Sequence, residues 1–350
     1  MAGGKIVVPT FDRRACGVRI MSPSRGRADA LAERFGARLS LPLIAAPMFR
    51  VSGPDLVVAA CRAGVIGAFP TANCRSLEQF DAWLGRIAGA LGPGDAPWCP
   101  NLIMRRESLR EELAVLLRHR PQVAITSVGP PDPVVGPLHD IGCMVLCDVA
   151  SVRHAEKAVA AGVDGLILLT AGAGGQTGWA NGFAFVRAVR EFFDGPVVLA
   201  GGVSDGCALF AAQVLGCDAA YMGTKFIATR ESMAADGYKQ MLVDSRLDDI
   251  LLSKAFTGLE TNTLRPSILA AGLDPANLPT DIAPERAREL YGSGGSTGVR
   301  RWADVWSAGH SVSGVHAVCT VADLVARTRN EYRLAARRAA PLVDLAVAGS

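Results

Sequence analysis

Residues 196–226 read PVVLAGGVSDGCALFAAQVLGCDAAYMGTKF. Two short apolar runs, PVVLA and DAAYM, flank a segment of helical composition, GCALFAAQVLG. Neither run alternates apolar with polar residues, as a strand with one wet face would. Continuous apolar runs belong to strands covered on both sides, as in parallel sheets. The helical segment stops at Gly216, and a glycine stop followed at once by a new run is the rhythm of βα units. Glycines also follow both runs, Gly201-Gly202 after the first and Gly223-Thr224 after the second, so both loops leave the C-terminal ends of strands.

The same rhythm extends upstream. PLIAAP, GVIGAF, WCPNLI, QVAITS, CMVLCD and DGLILL are six further runs, separated by helical stretches. Pro54 opens the helix in SGPDLVVAACRAG, with Ser52 as its expected cap and Gly64 as its stop. Ser151 is the expected cap of VRHAEKAVAAG, and FAFVRAVREFF is expected to end at Asp194-Gly195. Eight strands between Leu41 and Gly223 predict an α/β fold, a (β/α)8 TIM barrel. A doubly wound sheet is the weaker reading, because no GxGxxG follows the first strand; AAPMFRVSG does. Residues 1–232 are read as the barrel, its first forty residues wrapping the outside. After Ser232 the rhythm breaks, and residues 233–308 read as an inserted domain of helices and loops without strand alternation. Residues 309–350 are a return that completes the barrel, with a helix from Val321 to Leu345.

Half of the 350 residues are apolar and 20% are charged, enough for a substantial core. A net charge of +3 is too small to point to nucleic acid. Nine cysteines without a CxxC pair fit neither a zinc site nor a disulfide framework, and they suit a reduced cytosol. No secretion signal and no run of membrane-spanning length is read, so the expectation is a cytoplasmic enzyme with a small-molecule substrate and, as its own partner, a homodimer.

In such barrels ligands bind at the C-terminal ends of the strands. GG after the seventh run together with MGT after the eighth marks a phosphate site, since glycines let backbone N–H groups approach an anion. The alternative is a pair of tight turns with no ligand. TAGAGGQTGWANG after the sixth run belongs beside that site, with Gln176 and Trp179 facing a substrate or, in the bland reading, solvent. Asp148 closes the fifth run as a candidate base or hydrogen-bond acceptor, with helix capping as its alternative. Of the histidines, His119, His139 and His154 fall away from strand ends. His310, in WSAGHSVSG, lies where the chain returns to the barrel and is a candidate base, a structural role being the stronger reading.

These motifs together, PLIAAPM, AACRAGVIGA, ASVRHAEKAVAAGVDGLIL, AGAGGQTG and PVVLAGGVSDGCALFAAQVLGCDAAYMGTKFIATRES, resemble the nitronate monooxygenase family, which includes related flavin-dependent enoyl and quinone reductases. The resemblance covers most of Leu41 to Ser232 and returns in WADVWSAGHSVSG. It implies an FMN-binding barrel with a helical insertion over the flavin. Ala46, Pro47 and Met48 would line the isoalloxazine, and Asn101 would hydrogen-bond it. Gly174, Gly175, Gly201, Gly202, Gly223 and Thr224 would hold the ribityl phosphate. Two positions depart from the family. Its usual AGGH carries a histidine proposed as base, where this chain has Gln176, which takes no proton at neutral pH. Many relatives carry lysine at the position of Asp148, where positive charge favours the reduced flavin.

The resemblance implies an FMN-dependent oxidoreductase that oxidises a nitronate with O2. The second reaction is NAD(P)H-linked reduction or dehydrogenation of a carbon–carbon double bond, for example in an acyl thioester, with Gln176 orienting a carbonyl. Outside redox chemistry stand a phosphate-binding isomerase or lyase barrel, which AAPM argues against, and a barrel that only binds its ligand, supported by Gln176 alone.

Overall fold

The computed structural model describes residues 30–347. Eight parallel strands close on themselves, and each coincides with one of the apolar runs. They are β1 (Leu43–Ala45), β2 (Ile66–Pro70), β3 (Trp98–Ile103), β4 (Val123–Ser127), β5 (Met144–Val149), β6 (Gly165–Leu169), and, after a two-residue strand β7 (Gly175–Gln176), β8 (Val197–Ala200) and β9 (Ala219–Met222). Closure comes where β1 pairs with β9, Leu43 opposite Ala220 and Ala45 opposite Met222. The protein is a (β/α)8 barrel.

Alternate residues of each strand face inward. Ile44, Ile66, Cys99, Val123, Ile125, Leu146, Ile167 and Val198 fill the interior. Their neighbours, such as Phe69, Leu102, Val145 and Leu168, face the helices. This two-sided burial is why the runs are continuous in sequence.

The helix α1 (Ala30–Phe35) precedes β1. It does not wrap the outside: Leu31 and Phe35 are buried in the interior cluster and plug the barrel floor. The rest of the expected N-terminal wrapping lies outside the described residues. The outer helices are α2 (Pro54–Arg62), α3 (Leu77–Ala90), α4 (Leu109–His119), α5 (Asp132–Asp140), α6 (Val152–Ala160), α7 (Gly182–Val189) and α8 (Gly206–Leu215). Ser151 caps α6 by accepting from the His154 amide at 3.2 Å. Ser52 does not cap α2, whose N-cap is Gly53. Helix α7 stops five residues before Gly195, because Arg190 turns in to donate to the Gly195 and Gly216 carbonyls at 2.6 and 2.9 Å and pairs with Asp218 at 2.5 Å.

Beyond the short helix α9 (Thr224–Ile227) come α10 (Asp236–Asp244), β10 (Ile250–Ser253), β11 (Thr261–Leu264), α11 (Arg265–Ala270) and α12 (Pro284–Tyr291). This segment is not strand-free. An antiparallel hairpin, Ile250 opposite Leu264, extends through β11 to β7 in a three-stranded sheet. The sequence conceals these strands because ILLS and TNTL are short, TNTL is polar although buried, and the third member of the sheet is in a distant loop. The last helix, α13 (Val321–Val347), packs against α8 and α2 on the barrel wall. Its Tyr332 ring meets Phe210 edge-on at 5.7 Å.

Candidate functional site

The loops at the C-terminal ends of the strands enclose a cavity of about 1590 Å³, roofed by the β10–β11 segment and α12. That exceeds the roughly 300–1,000 Å³ of ordinary small-molecule sites and leaves room for two ligands. Ala46, Pro47, Met48, Asn101, Asp148, Gly174, Gly175, Gln176, Gly201, Gly202, Gly223 and Thr224 all line it, so residues at the C-terminal ends of six barrel strands, or just beyond them, meet at one site. His310 is exposed and does not belong to the wall; its amide donates to the Gly172 carbonyl at 3.0 Å. His154, from the first turn of α6, is on the wall, a placement its distance from the strand end concealed. His119 and His139 are tied to Asp81 and Asp164 at 2.8 and 2.9 Å.

The turn after β1 is held by Ser52, expected instead as a helix cap, and by Asn73, which the sequence did not single out. Ser52 Oγ accepts from the Met48 amide at 3.0 Å and donates to the Ala46 carbonyl at 3.1 Å. Asn73 donates to the Met48 and Ser52 carbonyls at 3.0 and 2.7 Å and accepts from the Arg50 amide at 2.7 Å. The clamp fixes a left-handed backbone at Arg50, φ 62°. Val128 and Trp302, also on the wall, have φ 55° and 66°. Non-glycine residues held there cost about 1–3 kcal/mol each and gather at functional sites.

The glycines divide into two kinds. A side chain at Gly201 would lie 2.4 Å from Thr170 Oγ1, and one at Gly174 would lie 2.7 Å from the Gly309 amide. These glycines let protein backbones approach one another. Gly202, at φ 72°, has no heavy atom within 4 Å of its missing Cβ, and it faces open cavity. Thr224 Oγ1 accepts from the Gly309 amide at 2.9 Å, joining the turn after β9 to the chain's return.

Asn101 is buried and accepts from Ser127 Oγ at 2.8 Å, which leaves its amide Nδ2 without a protein partner among the described residues. Asp148 and Tyr221 face inward at the cavity floor. Among the described residues Asp148 Oδ1, Tyr221 Oη and Ser307 Oγ are buried without a hydrogen-bond partner, and all three belong to cavity-lining residues. Burial pushes the Asp148 carboxyl from 3.8 up to about 7 and, with Asp148 itself, drives the Tyr221 phenol well above 10. Arg153 is exposed and off the wall, so it does not neutralise Asp148.

Gln176 is part of β7, opposite Thr261 of β11. Buried Asn262 donates to the Ala171 and Ala173 carbonyls at 2.9 and 2.7 Å and fixes the loop from beneath. The Gln176 side chain on the wall is thus carried by a strand pairing, and the exposed Trp179 lines the same wall. The charge of the wall is lopsided. Arg50, Arg105 and Lys157 stand on the barrel side and Lys254, Arg288 and Arg301 on the inserted side, against Asp148 and Glu260. A further arginine, Arg106, is neutralised by Glu112 at 2.8 Å.

A parallel barrel with orphaned polar atoms and strained loops converging at its C-terminal mouth defines a barrel enzyme. The nitronate monooxygenase family profile matches residues 96–329, and the chain belongs to that family, an oxidoreductase family of flavin enzymes. It is similar to the (3aS,4S,5R,7aS)-5-hydroxy-7a-methyl-1-oxo-octahydro-1H-indene-4-carboxyl-CoA dehydrogenase of Rhodococcus jostii, 28% identical over 70% of this chain and 68% of the relative. Nitronate monooxygenase of Paraburkholderia phytofirmans is 27% identical over 67% of this chain and 76% of that one. The structure of FabK from Thermotoga maritima superposes with a TM-score of 0.75 at 23% identity, covering 89% and 98% of the two chains, a likeness of fold. Nitroalkane oxidase from Streptomyces ansochromogenes does so with a TM-score of 0.73 at 25% identity, covering 89% and 99%. No helix among the described residues is long and apolar enough to cross a membrane.

Proposed function

We propose that the cavity holds FMN and that the protein oxidises an already ionised nitronate, or a related stabilised carbanion, with O2. The observation that carries the cofactor is the set of orphaned atoms. Three of the four buried side-chain polar atoms without a partner among the described residues belong to the cavity wall. A buried polar group left unpaired costs about 1–3 kcal/mol, and a polar heterocycle supplies the missing partners. Ala46, Pro47 and Met48 would face the ring system, Asn101 Nδ2 would donate to it, and the open backbone at Gly202 with the Thr224 hydroxyl would meet the phosphate. When bound, FMN supplies the redox chemistry, and the protein supplies position and electrostatics.

The chain's own residues favour an anionic substrate. The cationic wall attracts a nitronate over its neutral nitroalkane. Gln176 donates and accepts hydrogen bonds but removes no proton, so it orients the substrate. Asp148, neutral over much of the range below pH 7, donates a hydrogen bond and adds little negative charge at the floor. A second reading, NAD(P)H-linked chemistry on the double bond of an acyl thioester, is favoured by the cavity's size and by the cations of the inserted side.

Purified protein is expected to be yellow and to release FMN on denaturation. A colourless protein that FMN cannot reconstitute would sink both readings. Anaerobic mixing with NADH or NADPH then separates them. Rapid bleaching of the flavin band favours the reductase; no bleaching, with O2 uptake driven by a nitronate, favours the monooxygenase.

A further inference from the structure

Lys254, Arg288 and Arg301 come from three separate segments of the inserted side and converge on the cavity wall. The convergence is built. Gly258, at φ 76°, sits so close to Pro284 that a side chain there would lie 2.5 Å from its nitrogen, which seats the turn after β10 against the start of α12. Lys254 holds that turn, its carbonyl accepting from the Thr257 and Gly258 amides at 3.2 and 2.8 Å. Arg301 is anchored by its amide to the Tyr291 carbonyl at 2.8 Å and by Nη1 to the Phe256 carbonyl at 3.1 Å. Neither contact carries charge. Burial, and then the neighbouring Arg288, make the guanidinium of Arg301 harder to keep charged.

Two guanidiniums set beside each other, one of them half-buried, repel unless an anion lies between them. Among the described residues no carboxylate forms an ion pair with Lys254, Arg288 or Arg301. Their chain neighbours Arg286 and Arg300 show the contrast: Arg286 pairs with Glu289 at 2.8 Å and Arg300 with Asp304 at 2.9 Å, both off the cavity wall. Glu260 is the acidic residue on this part of the wall, one carboxylate against three cations. The three cations that face the cavity therefore keep charge that no ion pair among the described residues offsets.

We propose that Lys254, Arg288 and Arg301 form a binding site for the diphosphate of an adenine-nucleotide-bearing molecule, whose other end reaches the barrel mouth. Guanidinium forks match phosphate oxygens in paired hydrogen bonds, and lysine adds a point charge. Two sources share this chemistry, a coenzyme A thioester as substrate and a nicotinamide dinucleotide as electron donor. The cavity volume of about 1590 Å³ accommodates either beside a flavin. The inference rests on this cavity being the substrate site of a flavoenzyme, but binding is measured independently of turnover.

Isothermal titration calorimetry of the FMN-loaded protein with CoA, NADPH, ADP and phosphate-free pantetheine tests it, the NADPH arm being run with NADP+, which carries the same diphosphate and cannot reduce the flavin. Binding of CoA or NADPH is expected, with ADP weaker and pantetheine below detection. Arg288→Ala, an exposed position, should weaken binding about tenfold or more, and Arg288→Lys should restore part of it. Arg286→Ala removes the same charge from the same helix off the wall and should change affinity less than twofold. CoA binding alone identifies the thioester, and NADPH binding alone identifies the donor. The proposal is overturned if none of CoA, NADPH and ADP binds at millimolar concentration. It is also overturned if Arg288→Ala and Arg286→Ala weaken binding equally. Failure of FMN to bind instead sinks the reading of the cavity and is seen beforehand in the flavin spectrum.

Discussion

Asp148, the last residue but one of β5, faces into the barrel, where no described protein group reaches its Oδ1. Its position at the mouth was legible, because strand residues two apart share a face. Its protonation was not, since that depends on burial by strands distant in sequence. The same limit hid Asn73 and gave Ser52 the wrong role, that of a helix cap, although the hydrogen bonds of both fix the AAPM turn. Asn101 and the apolar turn itself were readable because their contacts to the cavity follow directly from strand ends. The raised pKa has a testable sign. In the unfolded chain Asp148 loses its proton near pH 4, whereas the folded flavin-free protein keeps it until about 7. The native state binds more protons in that window, so stability falls as pH rises from about 4 to 7 and levels off above. Asp148→Asn, an isosteric neutral change, should therefore stabilise the flavin-free protein by about 2–4 kcal/mol at pH 8 and by about zero at pH 4. Denaturant melts across pH 4–8 check it. A difference that does not change with pH would show that Asp148 is already solvated or paired.

At the scale of elements, the eight barrel strands were legible because each is buried on both faces and carries its own apolar run. The β7–β10–β11 sheet was not, because its strands have two to four residues and pair across about 85 residues of chain. That sheet matters for the loop bearing Gln176. Without it, TAGAGGQTG is a glycine-rich loop with high backbone entropy, and with it the loop is one strand of a ladder. Asn262 is the joint, giving one buried and one part-buried carbonyl their hydrogen bonds. Asn262→Ala leaves the Ala171 and Ala173 carbonyls unpaired, at a cost of about 1–3 kcal/mol borne mostly by the loop. Hydrogen exchange in residues 171–177 should rise about tenfold or more while β3 to β5 stay protected. FMN should be retained less tightly. Unchanged exchange in the loop would mean that the β7–β11 pairing alone holds it.

For the molecule as a whole, the sequence spelled out the barrel because local signals repeat eight times, whereas the cavity roof needed contacts between distant segments. The glycines show how one residue type serves both levels. Gly206 opens α8, where a side chain would lie 2.1 Å from the Thr328 carbonyl and the Tyr332 amide of α13. Those are backbone atoms of a long helix, so they cannot yield without moving α13 off the barrel wall. Gly202 lies in the loop that leads from β8 into α8, with open cavity where its side chain would be. The two positions therefore separate fold from site. Gly206→Ala should lower stability by about 1–3 kcal/mol, with FMN affinity of the remaining folded fraction little changed. Gly202→Ala costs about 1 kcal/mol for its left-handed backbone and places a methyl group where the phosphate is proposed to sit. It should weaken FMN binding about tenfold or more with a smaller shift in melting temperature. Fluorescence titration of FMN and thermal melts on both variants decide the matter. If Gly202→Ala binds FMN as tightly as the parent, the turn after β8 does not hold the phosphate, and the cofactor lies elsewhere along the wall.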